Sequence, residues 1–155
     1  PHVLELSFGV DRNFYSILNF AYFYDEKRQN IVLKLHPKLA PVKVAVFPIV
    51  KREELEKISE EIFNDLKKDF KVVYDRSGSI GRRYARNDEI GTLFCITIDE
   101  DSLKKKDVTV RIRDSAEQIR IKIKELKESL RKAINGEGDI LKLGKIVNTR
   151  KKIIN

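Results

Sequence analysis

The stretch VKVAVFPIV, residues 42–50, decides the fold of this 155-residue chain, because it is an almost continuous apolar run. Such a run is typical of a strand that is buried on both faces of a sheet. Residues 53–68 follow with apolar side chains along one helical face, at Leu55, Ile58, Ile62 and Leu66. Residues 71–74 then return as a strand. A strand, a helix and a strand in this order predict a parallel pair joined by a right-handed crossover.

The chain downstream predicts further elements of the same sheet. A loop of small residues at 77–81 leads into a short helix predicted over residues 81–90, which Gly91 ends. Strands predicted at residues 92–98 and 108–113 form a hairpin across a charged turn at 99–107. Ser115 and Gln118 have the spacing of a capping box, and residues 116–133 keep helical spacing after them.

The predicted order β-α-β-α-β-β-α defines the fold class as α/β, with a mixed, mainly parallel β-sheet flanked by helices. Upstream of this domain, residues 2–8 alternate as a strand does, and residues 10–24 have helical spacing. Aromatic side chains lie nearly all round that helix, so we expect it to pack against a partner domain. Residues 31–35 predict another short strand, and Pro37 and Pro41 mark an extended linker.

These features predict three regions, which are residues 1–36, residues 37–135 and a basic tail at residues 136–155. The tail has an apolar patch at 140–143, predicted as an edge strand or a turn, and a basic end at Lys142, Lys145, Arg150, Lys151 and Lys152. The default interpretation is a frayed, solvated terminus. The alternative is a basic arm that grips phosphates.

The net charge of +8, from 32 Lys and Arg against 24 Asp and Glu, favours an anionic partner such as nucleic acid. The solvated surface of a heat-adapted protein is the alternative. Cys95 is the only cysteine and is predicted to be a buried strand thiol in a reducing, cytoplasmic compartment. No apolar stretch reaches the roughly 20 residues that span a bilayer. His2 and His36 lack companions at ligand spacing, so no metal site is expected.

Three stretches of the chain resemble one family. ELSFGVDR at residues 5–12 resembles the third sequence motif of class II aminoacyl-tRNA synthetases in its glycyl-enzyme form. LKLHPKLAPVKVAVFP at residues 33–48 resembles the linker and first strand of the anticodon-binding domain that glycyl, histidyl, threonyl and prolyl enzymes share. DRSGSIGRRYARNDEIGT at residues 75–92 resembles the glycyl enzyme of the archaeal and eukaryotic dimeric kind. The resemblance implies the C-terminal part of a glycyl-tRNA synthetase.

Under this resemblance, residues 1–36 are the end of the catalytic domain and residues 37–135 are the anticodon-binding domain. Arg12 matches the arginine that contacts ATP phosphate, and a guanidinium at a helix start suits that role. Glu5 and Ser7 match positions that read the glycine ammonium. The alternative for Arg12 is a surface salt bridge with Asp11.

The resemblance further implies that the full enzyme is a homodimeric glycine–tRNA ligase that uses ATP and Mg²⁺. This chain alone is expected to be inactive and to need no cofactor, because the other class motifs would lie upstream of Pro1.

The resemblance also implies a partner, the anticodon loop of tRNA-Gly, whose last two bases are cytosines. Splayed RNA bases are read by edge hydrogen bonds and by stacking on aromatic or guanidinium planes. Glu89 would accept a hydrogen bond from a cytosine amino group. The candidate anticodon-binding residues are Arg76, Arg82, Arg83, Arg86, Glu89, Arg111 and Arg113. Lys51 and Arg52 are candidate phosphate contacts.

Three alternatives stay open at this point. Each arginine individually has solvation as its bland interpretation. The chain as a whole has two rivals, a non-catalytic nucleic-acid-binding paralogue of the kind found as polymerase accessory subunits, and a basic protein-interaction domain. Glu5, Ser7 and Arg12 argue against both rivals, because a protein without glycine activation has no physical need for that polar set.

Overall fold

A computed structural model describes residues 1–147, most of which are arranged around one six-stranded sheet. In chain order the elements are α1 (Val10–Ala21), β1 (Tyr22–Asp25), β2 (Asn30–Leu33), β3 (Val44–Pro48), α2 (Glu53–Leu66), β4 (Val72–Tyr74), α3 (Ile80–Glu89), β5 (Phe94–Ile98), α4 (Glu100–Lys105), β6 (Asp107–Ile112), β7 (Gln118–Lys122), α5 (Ile123–Asn135), a 3₁₀ helix (Ile140–Leu143) and β8 (Lys145–Ile146).

The sheet has the strand order β4-β3-β5-β6-β7-β8. β3 lies between β4 and β5 and is parallel to both. Strands β5 to β8 then pair antiparallel, so β4, β3, β5 and β7 run in one direction and β6 and β8 in the other. The predicted mixed α/β architecture and the parallel pair on either side of α2 are confirmed.

Helices cover both faces of this sheet, and β3 is therefore buried on both of its faces. On one face Val44 and Val46 join the main core with α2 and α5, through Leu55, Ile62, Leu66, Leu126 and Leu130. On the other face Ala45, Phe47 and Cys95 pack against Ile80 and Tyr84 of α3. Because neighbouring strand residues point to opposite faces, an unbroken apolar run is required here.

Cys95 is buried in β5, as the sequence predicted. Its surroundings disfavour the charged thiolate, so burial raises the pKa of the Cys95 thiol to about 12. Arg111 lowers this pKa and Asp88 raises it, but both effects are smaller than that of burial.

The predicted helix over residues 116–133 is wrong in its first part, because residues 118–122 form β7. Ile119 and Ile121 are both in the core, and their spacing of two belongs to a strand that pairs with β6. Ser115 and Gln118 therefore form no capping box, and Ala116 has a left-handed backbone with φ of 60°. The helix proper is α5, which begins at Ile123.

The predicted turn at residues 99–107 is also wrong, since α4 fills most of it. Asp99 caps this short helix by accepting a hydrogen bond from the Ser102 amide, and the Ser102 hydroxyl accepts one from the Asp99 amide. This reciprocal box satisfies two backbone donors at the helix start.

Two predictions near the N-terminus are corrected by the structure. Residues 2–8 form no strand, and their side chains are exposed. The predicted helix over residues 10–24 ends at Ala21, and the next three aromatic residues, Tyr22 to Tyr24, lie on β1, which pairs with β2 as a two-stranded ribbon. Aromatic residues fit a paired strand well, and this pairing outweighs their helical spacing.

The tail is ordered against the sheet as far as the structure describes it. Its apolar patch forms the 3₁₀ helix, and β8 adds an edge strand to β7. Gly144 lies so close to β7 that an added Cβ would approach the Arg120 carbonyl oxygen to 2.7 Å. The basic positions Arg150, Lys151 and Lys152 lie outside the described residues. Within residues 1–147, no helix is long and apolar enough to cross a membrane.

Gly91 provides a test of the packing between β2 and α3. Its φ is +79°, and an added Cβ would lie 2.8 Å from the carbonyl oxygen of Leu33. We expect Gly91→Ala to lower the free energy of unfolding by about 1–3 kcal/mol, through backbone strain and this clash. Urea denaturation measures the change.

Gly81→Ala is the matched control, because Gly81 is helical and an added Cβ would meet nothing within 4 Å. We expect it to be neutral or to stabilise by up to about 1 kcal/mol. Equal destabilisation by the two substitutions would contradict the close approach at Gly91.

Candidate nucleic-acid interface

Helix α3 and the loop before it present most of the exposed candidate residues. Ser79 caps α3 by accepting a hydrogen bond from the Arg82 amide. Ile80 and Tyr84 turn toward the sheet, so the opposite side of the helix faces solvent. Arg82, Arg86 and Glu89 are all exposed, and their spacings of four and three place them on one face.

The exposed candidate residues differ in how many hydrogen bonds and ion pairs their side chains make within the chain. Arg76 donates to Glu56 at 3.3 Å, and Arg86 donates to Asp75 at 2.5 Å and to the Ser77 carbonyl at 2.7 Å. Burial works to raise the pKa of Asp75, but hydrogen bonds from the Ser77 amide and Arg86 outweigh it, so this pKa lies below its ordinary value. Arg82 and Glu89 have no ion-pair partner among residues 1–147.

Arg83 has a different environment, because only 4% of it is exposed. Its guanidinium donates to the carbonyl oxygens of Pro48 at 2.6 Å, Gly78 at 3.2 Å and Asp75 at 3.4 Å. These carbonyls follow or end β3 and β4. Arg83 therefore ties together the carboxyl ends of two parallel strands, and its donors are used within the chain.

Arg111 and Arg113 were predicted on a polar strand face, and the structure buries both beneath neighbouring elements. Arg111 forms a two-pronged pair with Asp88 of α3, with both N–O distances at 2.8 Å, and lies 4.8 Å from the centre of the Tyr84 ring. Burial works against the Arg111 charge, but its bonds to Asp88 outweigh this and hold the pKa of Arg111 above its ordinary value. Arg113 donates to the carbonyls of Gly91 and Leu35.

Sequence reasoning missed two residues that complete this cluster, Arg28 and Asp88. Arg28 lies in the turn between β1 and β2 and donates to the Arg113 carbonyl at 2.7 Å and the Asp114 carbonyl at 3.1 Å. It also approaches Asp88 at 3.4 Å. These partners lie 60 or more positions from Arg28, and Arg111 lies 23 positions from Asp88, so no local pattern marks the cluster. The cluster fastens the β1–β2 ribbon to α3 and β6.

The carboxyl edge of the parallel strands is the natural place for a ligand in this fold. The helices that follow β3 and β4 lie on opposite faces of the sheet, and ligands bind where such connections diverge. Lys51 and Arg52 follow β3, Arg76 follows β4, and the start of α3 lies beside them. Arg52 bridges this edge by donating to Glu100 at 2.9 Å.

The structure does not gather the three N-terminal candidates into a pocket. Glu5 and Ser7 are exposed in the segment before α1, which has no regular structure, and Arg12 is exposed in the first turn of α1. Large apolar side chains around them are also exposed, among them Leu4, Leu6, Phe8, Val10, Phe14 and Phe20. An exposed apolar surface of this extent is typical of an interface.

No group of three or more His, Cys, Asp or Glu side chains within residues 1–147 is arranged to hold a metal ion. The chemistry that this surface offers is hydrogen bonding, stacking and positive charge.

Comparison with known proteins identifies a family that matches the central domain and relatives that match most of the chain. A family profile described as the anticodon binding domain matches residues 43–133. The glycine–tRNA ligases of Thermococcus sibiricus and Thermococcus gammatolerans are 51% and 50% identical over 137 and 138 residues, which is 88% of this chain and 24% of each relative. The glycine–tRNA ligase of Rhodopirellula baltica is 48% identical over 130 residues, covering 79% of this chain and 24% of that protein.

Among solved structures, prolyl-tRNA synthetase from Cryptosporidium parvum, complexed with halofuginone and AMPPNP, superposes with a TM-score of 0.63 at 30% identity. The match covers 68% of this chain and 23% of that one. The chain thus spans about a quarter of the length of the curated relatives it matches.

The pair between Asp88 and Arg111 gives a first test of this site. Asp88→Asn would leave the buried Arg111 charge without its carboxylate, so we expect a loss of about 3 kcal/mol in the free energy of unfolding. Chemical denaturation measures it. Glu128→Gln is the control, because Glu128 and its partners Arg131 and Lys132 are all exposed and such pairs are worth less than about 1 kcal/mol. Equal losses would contradict the central role of Asp88.

Asp99, at the end of β5, gives a pH-dependent test. Burial works to raise the pKa of Asp99, but bonds from Arg120 and Ser102 outweigh it and hold this pKa below its ordinary value. A depressed folded-state pKa stabilises the fold above the unfolded pKa of about 3.9, and this contribution is lost as the pH falls through the folded value.

We therefore expect the stability difference between the wild type and Asp99→Asn to shrink as the pH falls from about 5 to about 2. Urea midpoints across this range measure the difference. A difference that stays constant or grows toward low pH would contradict the ionised pair with Arg120.

Proposed function

Because this chain belongs to the anticodon binding domain family, we propose that it binds the anticodon loop of tRNA-Gly as part of a glycine–tRNA ligase. The observation that carries the proposal is the exposed face of α3, which lies within the matched region and presents Arg82, Arg86 and Glu89. The helix begins at the carboxyl edge of the sheet, and Glu89 lies at its other end. The reported relatives are named as glycine–tRNA ligases, which favours this function over that of a non-catalytic paralogue.

In this proposal the anticodon is recognised through hydrogen bonds to base edges and through contacts with positively charged guanidinium groups. Glu89 accepts a hydrogen bond from the amino group of a cytosine, a group that uracil lacks. Arg82 and Arg86 supply planar guanidinium groups that stack on splayed bases or bind their edges. Arg82 needs no rearrangement for this, whereas Arg86 first gives up its bonds to Asp75 and the Ser77 carbonyl.

The remaining candidates have supporting parts in this proposal. Arg83, Arg111 and Arg113 are positioning residues, since their guanidinium groups are buried and engaged within the chain. Arg76, Lys51 and Arg52 line the same edge, where a backbone phosphate of the loop would meet them. A shift of Arg83 would move the loops that follow β3 and β4, and therefore the surface on which the RNA rests.

The rest of the proposed enzyme activates glycine with ATP and transfers it to the 3′ end of the tRNA. In this proposal Arg12 contacts ATP phosphate, and Glu5 and Ser7 contact the glycine substrate. The exposed apolar residues at 4–20 pack against the remainder of the catalytic domain. The intact ligase is proposed to be a cytoplasmic homodimer. No carboxylate cluster in residues 1–147 suits Mg²⁺, so no step through this ion is assigned to the described residues.

Fluorescence anisotropy with a labelled tRNA-Gly anticodon stem-loop tests the proposal. Replacing either of the last two anticodon cytosines is expected to weaken binding by roughly 5- to 150-fold, because a lost base contact costs about 1–3 kcal/mol. Glu89→Gln is expected to reduce the preference for cytosine. Arg82→Gln is expected to weaken binding of both RNAs, because it removes a cation.

Arg131→Gln is the control for these variants, since Arg131 is an exposed, ion-paired arginine on α5, away from α3. It is expected to bind both RNAs as the wild type does. Equal binding of the two RNAs by the wild type would contradict anticodon reading, and an absence of binding would contradict the tRNA partner itself.

A further inference from the structure

The edge of the sheet at which α3 begins continues into a second basic region on its far side. Strand directions place the end of β5, the start of β6, the end of β7 and the start of β8 at the same edge as the carboxyl ends of β3 and β4. Six lysines lie at these strand ends or within a few residues of them, and we refer to them as the lysine groove. They are Lys105, Lys106, Lys122, Lys124, Lys142 and Lys145.

Two adjoining hollows give the lysine groove its shape. The larger, of about 710 Å³, is lined by Lys105, Lys122, Lys142 and Lys145 together with Arg120. The smaller, of about 450 Å³, shares Lys122 and adds Lys106 and Lys124. The lysines therefore surround a concave surface, and they come from three segments that are far apart in sequence.

The charges in the groove do not cancel. With Arg120 there are seven cations, against the four carboxylates Asp99, Asp101, Asp107 and Glu125, which leaves a surplus of three. Arg120 holds two of the four, Asp99 at 2.8 Å and Asp107 at 2.6 Å. Within residues 1–147, no carboxylate lies within ion-pairing distance of Lys106, Lys142 or Lys145. Those three ammonium groups are free for an outside anion.

We propose that the lysine groove binds the phosphate backbone of the anticodon stem of the same tRNA whose loop contacts α3. This inference rests on the proposed function and adds a second contact to it. Lysine is a flexible point charge that binds phosphate without reading bases, whereas the α3 surface offers arginines and a glutamate. The two ends of the edge thus have different side-chain chemistry, which suits the loop at one end and the stem at the other.

The dimensions of the sheet agree with this arrangement. From β4 to β8 there are five strand spacings of roughly 4.8 Å each, or about 24 Å in all. The start of α3 and the lysine groove therefore lie along one continuous edge, so a single RNA stem-loop can contact both.

Paired lysine substitutions test the groove without touching α3. In the full 155-residue chain, Lys142→Gln with Lys145→Gln removes two charges from the groove. The control, Lys38→Gln with Lys71→Gln, removes two exposed lysines from the opposite edge of the sheet, before β3 and β4. A second groove pair, Lys106→Gln with Lys124→Gln, leaves β8 unchanged and so separates loss of binding from loss of that strand.

Anisotropy across salt concentrations, with the tRNA-Gly anticodon stem-loop and its cytosine-replaced version, is the measurement. For each groove pair we expect affinity at about 0.1 M salt to fall roughly tenfold for both RNAs. The slope of log K against log salt should fall by about 1.8, and the preference for cytosine should stay unchanged. The control pair should bind as the wild type does.

Two outcomes would contradict the proposal that the lysine groove binds the stem. One is groove variants that match the control pair, and the other is a loss of cytosine preference in place of a uniform loss of affinity. Failure of the wild type to distinguish the two RNAs would instead overturn the proposed anticodon function, so the two failures are distinguishable.

Discussion

A single buried carboxylate, that of Asp88, holds three parts of the chain in one arrangement. It lies on α3, accepts both prongs of Arg111 from β6, and is approached by Arg28 from the turn between β1 and β2. Only 2% of Asp88 is exposed, and removing charges from water is costly unless good geometry compensates. When such a cluster is complete, it adds little to the free energy of unfolding. An arrangement that leaves one partner unpaired is strongly destabilised. The cluster therefore selects one position of α3 on the sheet.

The position of α3 matters because α3 carries the surface proposed to read RNA. The arginines of this region divide into two groups that composition alone does not separate. One group is buried and donates hydrogen bonds to backbone carbonyls and carboxylates inside the fold; it contains Arg83, Arg111 and Arg113. The other group is exposed and contains Arg76, Arg82 and Arg86. The buried group fixes the loops and the helix, and the exposed group is left to meet a partner. A basic composition therefore overstates the number of residues available for binding.

The sequence predicted the parallel half of the sheet well, because β3, α2 and β4 have strong local patterns. It failed where a long-range partner decided the outcome. Residues 118–122 fit a helical spacing as well as a strand spacing, and only pairing with β6 makes them β7. Arg111 was expected on a solvent-facing side of its strand, since nothing local shows that α3 covers that side. Arg28 and Asp88 were missed for the same reason, as their contacts link distant segments.

The burial of Cys95 determines how the chain can be modified chemically. A thiol whose pKa is raised this far by burial is almost entirely protonated near neutral pH, and the thiolate is the species that attacks alkylating reagents. Because Cys95 is the only cysteine among these 155 residues, they contain no readily labelled thiol. A cysteine introduced at an exposed position on α3 or in the lysine groove would then be the one reactive site. Dyes and crosslinkers would report from a chosen point on the surface.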